Sequence, residues 1–236
     1  MPHRSGSSGE FHSFRLPVPS LWLDILQKAK AAGLNAVSVY SHWGLLNPAP
    51  GVVDFDFFRA LQPLFDAALT AGIWIILRPG PYINAETTAG GIAHWVTSQT
   101  KGTLRTNATD FHDTWQDYIQ GIIAQTVPNQ ITEGGPVIGK FQVTFLCWRP
   151  PCERPLLVKV SKLVCSAFRA RRSHMQIQVS SDNEYFQSGF GNAQYFSELE
   201  AAYHNSSIVV PLTYNDPGQE RNFVNGTVRF DSFSHL

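Results

Sequence analysis

Asp182-Asn183-Glu184-Tyr185 sets one carboxylate between an amide and a phenol, two residues past the expected end of a strand. A glutamate placed there, beside groups that raise its pKa, suits proton donation to a leaving oxygen. Asn183 next to it can hydrogen-bond a substrate hydroxyl, whereas a solvated loop glutamate is the plain alternative. A second stretch, RPGPYINAE (78–86), pairs two prolines that stiffen the backbone with a glycine that relieves crowding. It then presents Tyr82, Asn84 and Glu86 in quick succession. An amide and a carboxylate at that spacing can bind adjacent hydroxyls while aromatic rings cover apolar faces, the composition of a rim for a hydroxyl-rich ligand. A surface loop around a buried tyrosine is the competing account.

Other chemistries find little support. Cys147, Cys152 and Cys165 lack the paired short spacings of a zinc site, and no G-x-S-x-G elbow is present for serine chemistry. No metal and no cofactor are expected. No G-x-G-x-x-G or P-loop run follows a strand, which weakens nucleotide binding. The formal net charge of zero gives no reason to expect nucleic acid, and no apolar run approaches the length of a membrane span.

Alternating strand-like and amphipathic stretches must position these residues. Strands are expected at 9–16, 35–43, 73–84, 136–143, 208–216 and 227–233. Helices are expected from Ser20, as cap, to Gly33, and at 55–72, 110–127 and 192–204. Strand-helix alternation with polar clusters after the strands (Glu10 and His12, Tyr40 to Trp43, Arg78 to Glu86, Asn183 and Glu184, Tyr214 to Asp216) is the pattern of a parallel α/β protein. A doubly wound sheet fits, but a (β/α)8 barrel is favoured, since it gathers those strand ends at one mouth.

One segment departs from this composition. Between Thr144 and Ser181 lie seven Lys or Arg against one acid, together with all three cysteines; the rest of the chain carries a net charge of −6. With that segment set aside, GGPVIGKFQV runs directly into DNEY. Its edges are compatible with intron-like codons, so a translated intron is the favoured account and a true surface insertion the alternative. QIQV (176–179) also qualifies as the strand leading to Glu184.

SGEFHSFRLP, RLPVPSLWLDI, RPGPYINAETTAGG, KGTLRT and the downstream NEY together resemble the β-galactosidases of glycoside hydrolase family 35, in their fungal form. The likeness spans about 8–142 and 182–236. It implies an α/β fold, a (β/α)8 TIM barrel with about six of eight strands present, as one domain over 8–236 interrupted at about 144–181. It implies retaining hydrolysis of terminal β-D-galactose, with Glu184 as proton donor and Tyr40, Asn84, Ala85, Glu86 and Asn183 lining the galactose subsite. The family's nucleophile is expected beyond Leu236, and retention needs two carboxyls about 5 Å apart, so this chain is expected to be inactive. A galactose-binding pseudoenzyme, a fragment that does not fold and a retaining β-glycosidase of other specificity are the alternatives. Family members are secreted; the chain shows no signal peptide, and its Asn107, Asn205 and Asn225 sequons suit an extracellular glycoprotein.

Overall fold

The computed structural model describes residues 8–137, 179–180, 192–210, 212–214 and 228–229. Three parallel strands, β1 (Ser8–Glu10), β2 (Ala36–Tyr40) and β3 (Trp74–Arg78), form one sheet in sequence order. Their register sets Glu10 opposite Ser38 and Tyr40 opposite Arg78. Three further strands, β4 (Val179–Ser180), β5 (Leu212–Tyr214) and β6 (Val228–Arg229), form a second parallel sheet, again in sequence order. Val137 bridges Ile75 in parallel on the far side of β3 from β2, so the chain at Val137 lies next in turn beside β3. Strand order that follows the sequence without reversal is the winding of a barrel; a doubly wound sheet reverses at a switch point.

Crossover helices connect these strands. Helix α1 (Trp22–Ala31) packs on α3 (Gln62–Ala71), which also packs on β3, and α5 (Thr109–Thr126) packs on α6 (Ala193–His204). Two shorter helices, α2 (Trp43–Leu46) and α4 (His94–Gln99), lie in the loops after β2 and β3. On α5, Phe111, Trp115, Tyr118, Ile119, Ile122, Ile123 and Thr126 recur at three and four and are all buried. The Tyr118 hydroxyl stands between the Ser41 and Pro79 carbonyls, 3.0 and 2.6 Å away, and so ties α5 to the loops after two strands. Every residue of β2 is buried, as a strand covered on both faces requires. Buried Gln130 joins distant segments: its amide donates to the Ser207 carbonyl at 3.0 Å, and its oxygen accepts the Val209 amide at 2.8 Å.

Several boundaries differ from the sequence expectation. The first strand stops at Glu10, and Ser13–Arg15 forms a 3-10 turn. Ser20 caps nothing, because it lies inside another 3-10 turn, Pro19–Leu21, that leads into α1. The second helical stretch begins at Gln62, not 55: Phe57–Arg59 is a separate 3-10 turn entered with Phe57 at φ 52°. The third strand ends at Arg78, where Pro79 stops supplying ladder donors. By contrast α6 starts as expected, with the Asn192 side chain accepting the Tyr195 amide at 2.9 Å. Val179–Ser180, where QIQV ends, is a strand and pairs with β5. Among the described residues no helix is long and apolar enough to cross a membrane.

Candidate active site

Glu10, Tyr40 and Arg78 end three neighbouring strands, and the parallel register brings their side chains to one rim. Buried Arg78 is the centre of this group. Its Nη1 donates to Glu10 Oε1 at 3.0 Å, and its guanidinium lies 4.3 Å from the centre of the Tyr40 ring. A cation over an aromatic face and an ion pair from the same side chain hold the Tyr40 ring from below. The His12 ring stands 4.9 Å from Tyr40 and stacks at 5.5 Å on Phe14, which meets His42 edge-on at 5.3 Å. Burial lowers the His12 pKa from its ordinary value, against the opposing pull of the Glu10 carboxylate; burial likewise lowers that of His42. Burial thus disfavours the protonated form of both imidazoles.

The loop after β3 folds back over this rim. Ile83 donates its amide to the Gly90 carbonyl at 2.8 Å. Thr87 donates both its amide and its hydroxyl to the Asn84 carbonyl, at 2.9 and 2.8 Å. Between these ties Asn84, Ala85 and Glu86 all take left-handed backbone, with φ of 57°, 46° and 47°. That conformation is uncommon for residues with a Cβ, and three in succession must be held by their surroundings. Ile83 and Ala85 are buried in a cluster with Tyr40, against which Phe14 packs. Arg15 donates from Nη2 to the Ala85 carbonyl and to Glu86 Oε2, the latter at 2.9 Å. Gly90, itself at φ +61°, is required here: a Cβ on it would lie 1.9 Å from the Tyr82 ring.

Of the residues named from the sequence, Tyr40 and Ala85 share one cluster, and Asn84 and Glu86 flank Ala85 on the same turn. Tyr82 stands apart from them, with its ring against Gly90 and the Arg105 guanidinium 3.9 Å from its centre. Asn183 and Glu184, the residues between 144 and 178, and the Asn225 sequon lie outside the described residues. Arg15 and the Arg78–Glu10 pair were not assigned roles by the sequence. Their partners lie about 70 positions away in the chain, and no local spacing signals such a pairing. Chemically the described rim is suited to binding. Exposed Asn84 and Glu86 present an amide and a carboxylate, Tyr40 is buried beneath them, and one oxygen of Glu10 is held by Arg78.

The family model of the glycosyl hydrolases family 35 matches residues 3–145. A probable β-galactosidase C of Penicillium rubens is 36% identical over 213 residues, which cover 89% of this chain and 18% of that protein. A probable β-galactosidase E of Aspergillus fumigatus is 53% identical over 134 residues, 56% of this chain and 13% of that one. The chain thus spans less than a fifth of the length of these relatives. Among solved structures, an exo-β-1,4-mannosidase from Opitutaceae bacterium strain TAV5 superposes with a TM-score of 0.58 at 12% identity, over 88% of this chain and 31% of its own. A β-galactosidase from the psychrophilic Marinomonas ef1 does so at 0.52 and 13%, over 89% and 37%. At those identities the likeness speaks for the fold alone, that of the (β/α)8-barrel glycosidases, here in part. With 3–145 covered by the family model, the chain belongs to the glycosyl hydrolases family 35.

Proposed function

We propose that this chain is the N-terminal part of a β-galactosidase catalytic domain and that its rim binds the terminal β-D-galactose of a β-galactoside. The observation that carries this is the meeting of Tyr40 with the left-handed turn Asn84–Glu86 at the ends of adjacent strands. Family membership and relatives named as probable β-galactosidases support the choice of galactose. In this assignment Asn84, Ala85, Glu86 and Tyr40 line the sugar subsite together with Asn183. Glu184 gives its proton to the leaving oxygen and then takes one from water, as the acid/base of a retaining mechanism does. The domain contributes about six of the eight strands, and the protein acts outside the cell, as the resemblance implies.

The basic segment at about 144–181 is assigned as foreign to the domain. The family match stops at residue 145, next to the edge that composition marks. Val179–Ser180, at the C-terminal edge of that segment, pairs with β5, which supports the QIQV alternative, in which this edge belongs to the domain as the strand leading to Glu184.

Calorimetric titration of the chain with galactose tests the subsite. Saturable binding is expected, weakened about tenfold or more by Glu86→Gln, because a hydrogen bond to a charged acceptor is worth about 1.5–3 kcal/mol. Binding of glucose as tight as galactose, or none of either, would overturn the assignment. For Glu184, the Glu184→Gln form of an active protein containing this domain should hydrolyse lactose at least about 100-fold more slowly. Unchanged lactose turnover removes that role.

A further inference from the structure

We propose that Arg15 is a positioning residue that holds the Asn84–Glu86 turn and aims Glu86 at a sugar hydroxyl, a proposal that rests on the galactose subsite put forward above. Both bonds leave a single nitrogen, Nη2, whose two hydrogens are divided between the Ala85 carbonyl and Glu86 Oε2. One side chain thus fixes the backbone of the turn and the carboxylate that the turn presents. The remaining carboxylate oxygen, Oε1, has no bond among the described residues and is left to accept from a ligand hydroxyl.

Three features favour a positioning role over an incidental surface pair. Glu86 is 84% exposed at its side chain and Arg15 is 49% exposed, so the ion pair by itself adds little stability. It sits, however, on three consecutive left-handed residues of which none is glycine, a backbone that needs outside restraint. The Thr87 bonds to Asn84 are internal to the turn; Arg15 reaches it from the 3-10 turn after β1, some 70 residues earlier in the chain. Furthermore, Phe14, the neighbour of Arg15, packs against the cluster of Tyr40, Ile83 and Ala85. The Ser13–Arg15 turn therefore supports the subsite from below with a ring and from the side with a guanidinium.

The experiment combines galactose titration with amide hydrogen exchange at Thr87, on the chain and on its Arg15→Met, Arg15→Lys, Glu86→Gln and Arg15→Met/Glu86→Gln forms. Arg15→Met keeps the apolar stem and loses the donors; galactose binding should weaken about tenfold and Thr87 exchange should quicken about tenfold. Arg15→Lys, with an ammonium that reaches one of the two acceptors, should recover part of both. The double variant should bind no more weakly than Glu86→Gln alone, because Arg15 acts through Glu86. Equal losses from Arg15→Met with and without Glu86 would overturn the proposal, as would unchanged binding and unchanged Thr87 exchange. Absence of galactose binding by the unsubstituted chain would instead overturn the galactose assignment and the sugar role of Arg15 with it. The Thr87 exchange would then still report whether Arg15 restrains the turn.

Discussion

The two ends of the parallel strands solve the same backbone problem differently. Chain entering β2, β3 and the bridge at Val137 passes through Gly33, Gly72 and Gly134, at φ 93°, 65° and 87°, and no atom lies within 4 Å of where their Cβ would be. Left-handed backbone there falls on the residue that adopts it without steric cost. Chain leaving β2 and β3 places left-handed backbone on Phe57, Asn84, Ala85, Glu86, Ala89 and Arg105 as well as on glycines. Every left-handed residue with a Cβ among the described residues thus lies in the loops at the mouth. The entry loops are built for stability alone, whereas the exit loops accept strain in order to present particular side chains.

The largest effect that would sharpen this contrast comes from alanine at one glycine of each kind. Gly90→Ala should destabilise by about 3 kcal/mol, since the left-handed penalty is joined by overlap with the Tyr82 ring 1.9 Å away. Gly72→Ala meets open space and should cost about 1 kcal/mol, the conformational penalty alone. Urea unfolding of both variants measures the difference; equal costs would mean that the mouth is no more tightly determined than the opposite end.

A somewhat smaller effect tests whether liabilities are confined to the mouth. Glu200 is 2% exposed in the middle of α6, and neither carboxylate oxygen has a hydrogen-bond partner among the described residues. Burial raises its pKa from 4.5 to about 8. The folded state therefore holds a proton that the unfolded chain releases, so the contribution of Glu200 to stability is greatest below pH 4.5 and falls as pH rises toward 8. With allowance for screening by nearby water, the loss is about 2 kcal/mol. Glu200→Gln should flatten that pH dependence in urea titrations at pH 5 and pH 8. An unchanged slope would show that Glu200 is not its source.

The smallest effect has the opposite sign. Ala89, at φ 52°, is a left-handed residue with no polar group to present. Ala89→Gly should relieve its strain, offset in part by the freedom glycine gains in the unfolded chain, for a net stabilisation of about 0.5 kcal/mol. A loss of stability would mean that the Ala89 methyl is part of the packing of the loop.

Much of the fold could be read from periodicity. The α5 stripe from Phe111 to Thr126 and the Asn192 cap of α6 follow from residue spacing and local hydrogen bonding, which depend on neighbours in the chain. The misplaced boundaries have a common cause. Ser13–Arg15, Ser20 and Phe57 lie in 3-10 turns whose residues have acceptable strand or helix propensities, so residue type and periodicity do not mark those turns. At the site, the Asn84–Glu86 turn was legible because Pro79 and Pro81 bracket Gly80 just ahead of it. The surroundings of Tyr82 were not legible, because nothing local records that Gly90 makes room for its ring and that the Arg105 guanidinium lies over it.

By itself, the sequence determined the strand-helix alternation, the family and the positions of the candidate carboxylates, because those reside in local pattern and in motifs such as RPGPYINAE. Only the tertiary structure decided which side chains hold them. Parallel register aligned Glu10, Tyr40 and Arg78, and chain return across some 70 residues delivered Arg15 to Glu86. The physical reason is range. Backbone preference and side-chain periodicity act over a few residues, whereas ion pairs and ring contacts act between any groups that folding brings within a few ångströms.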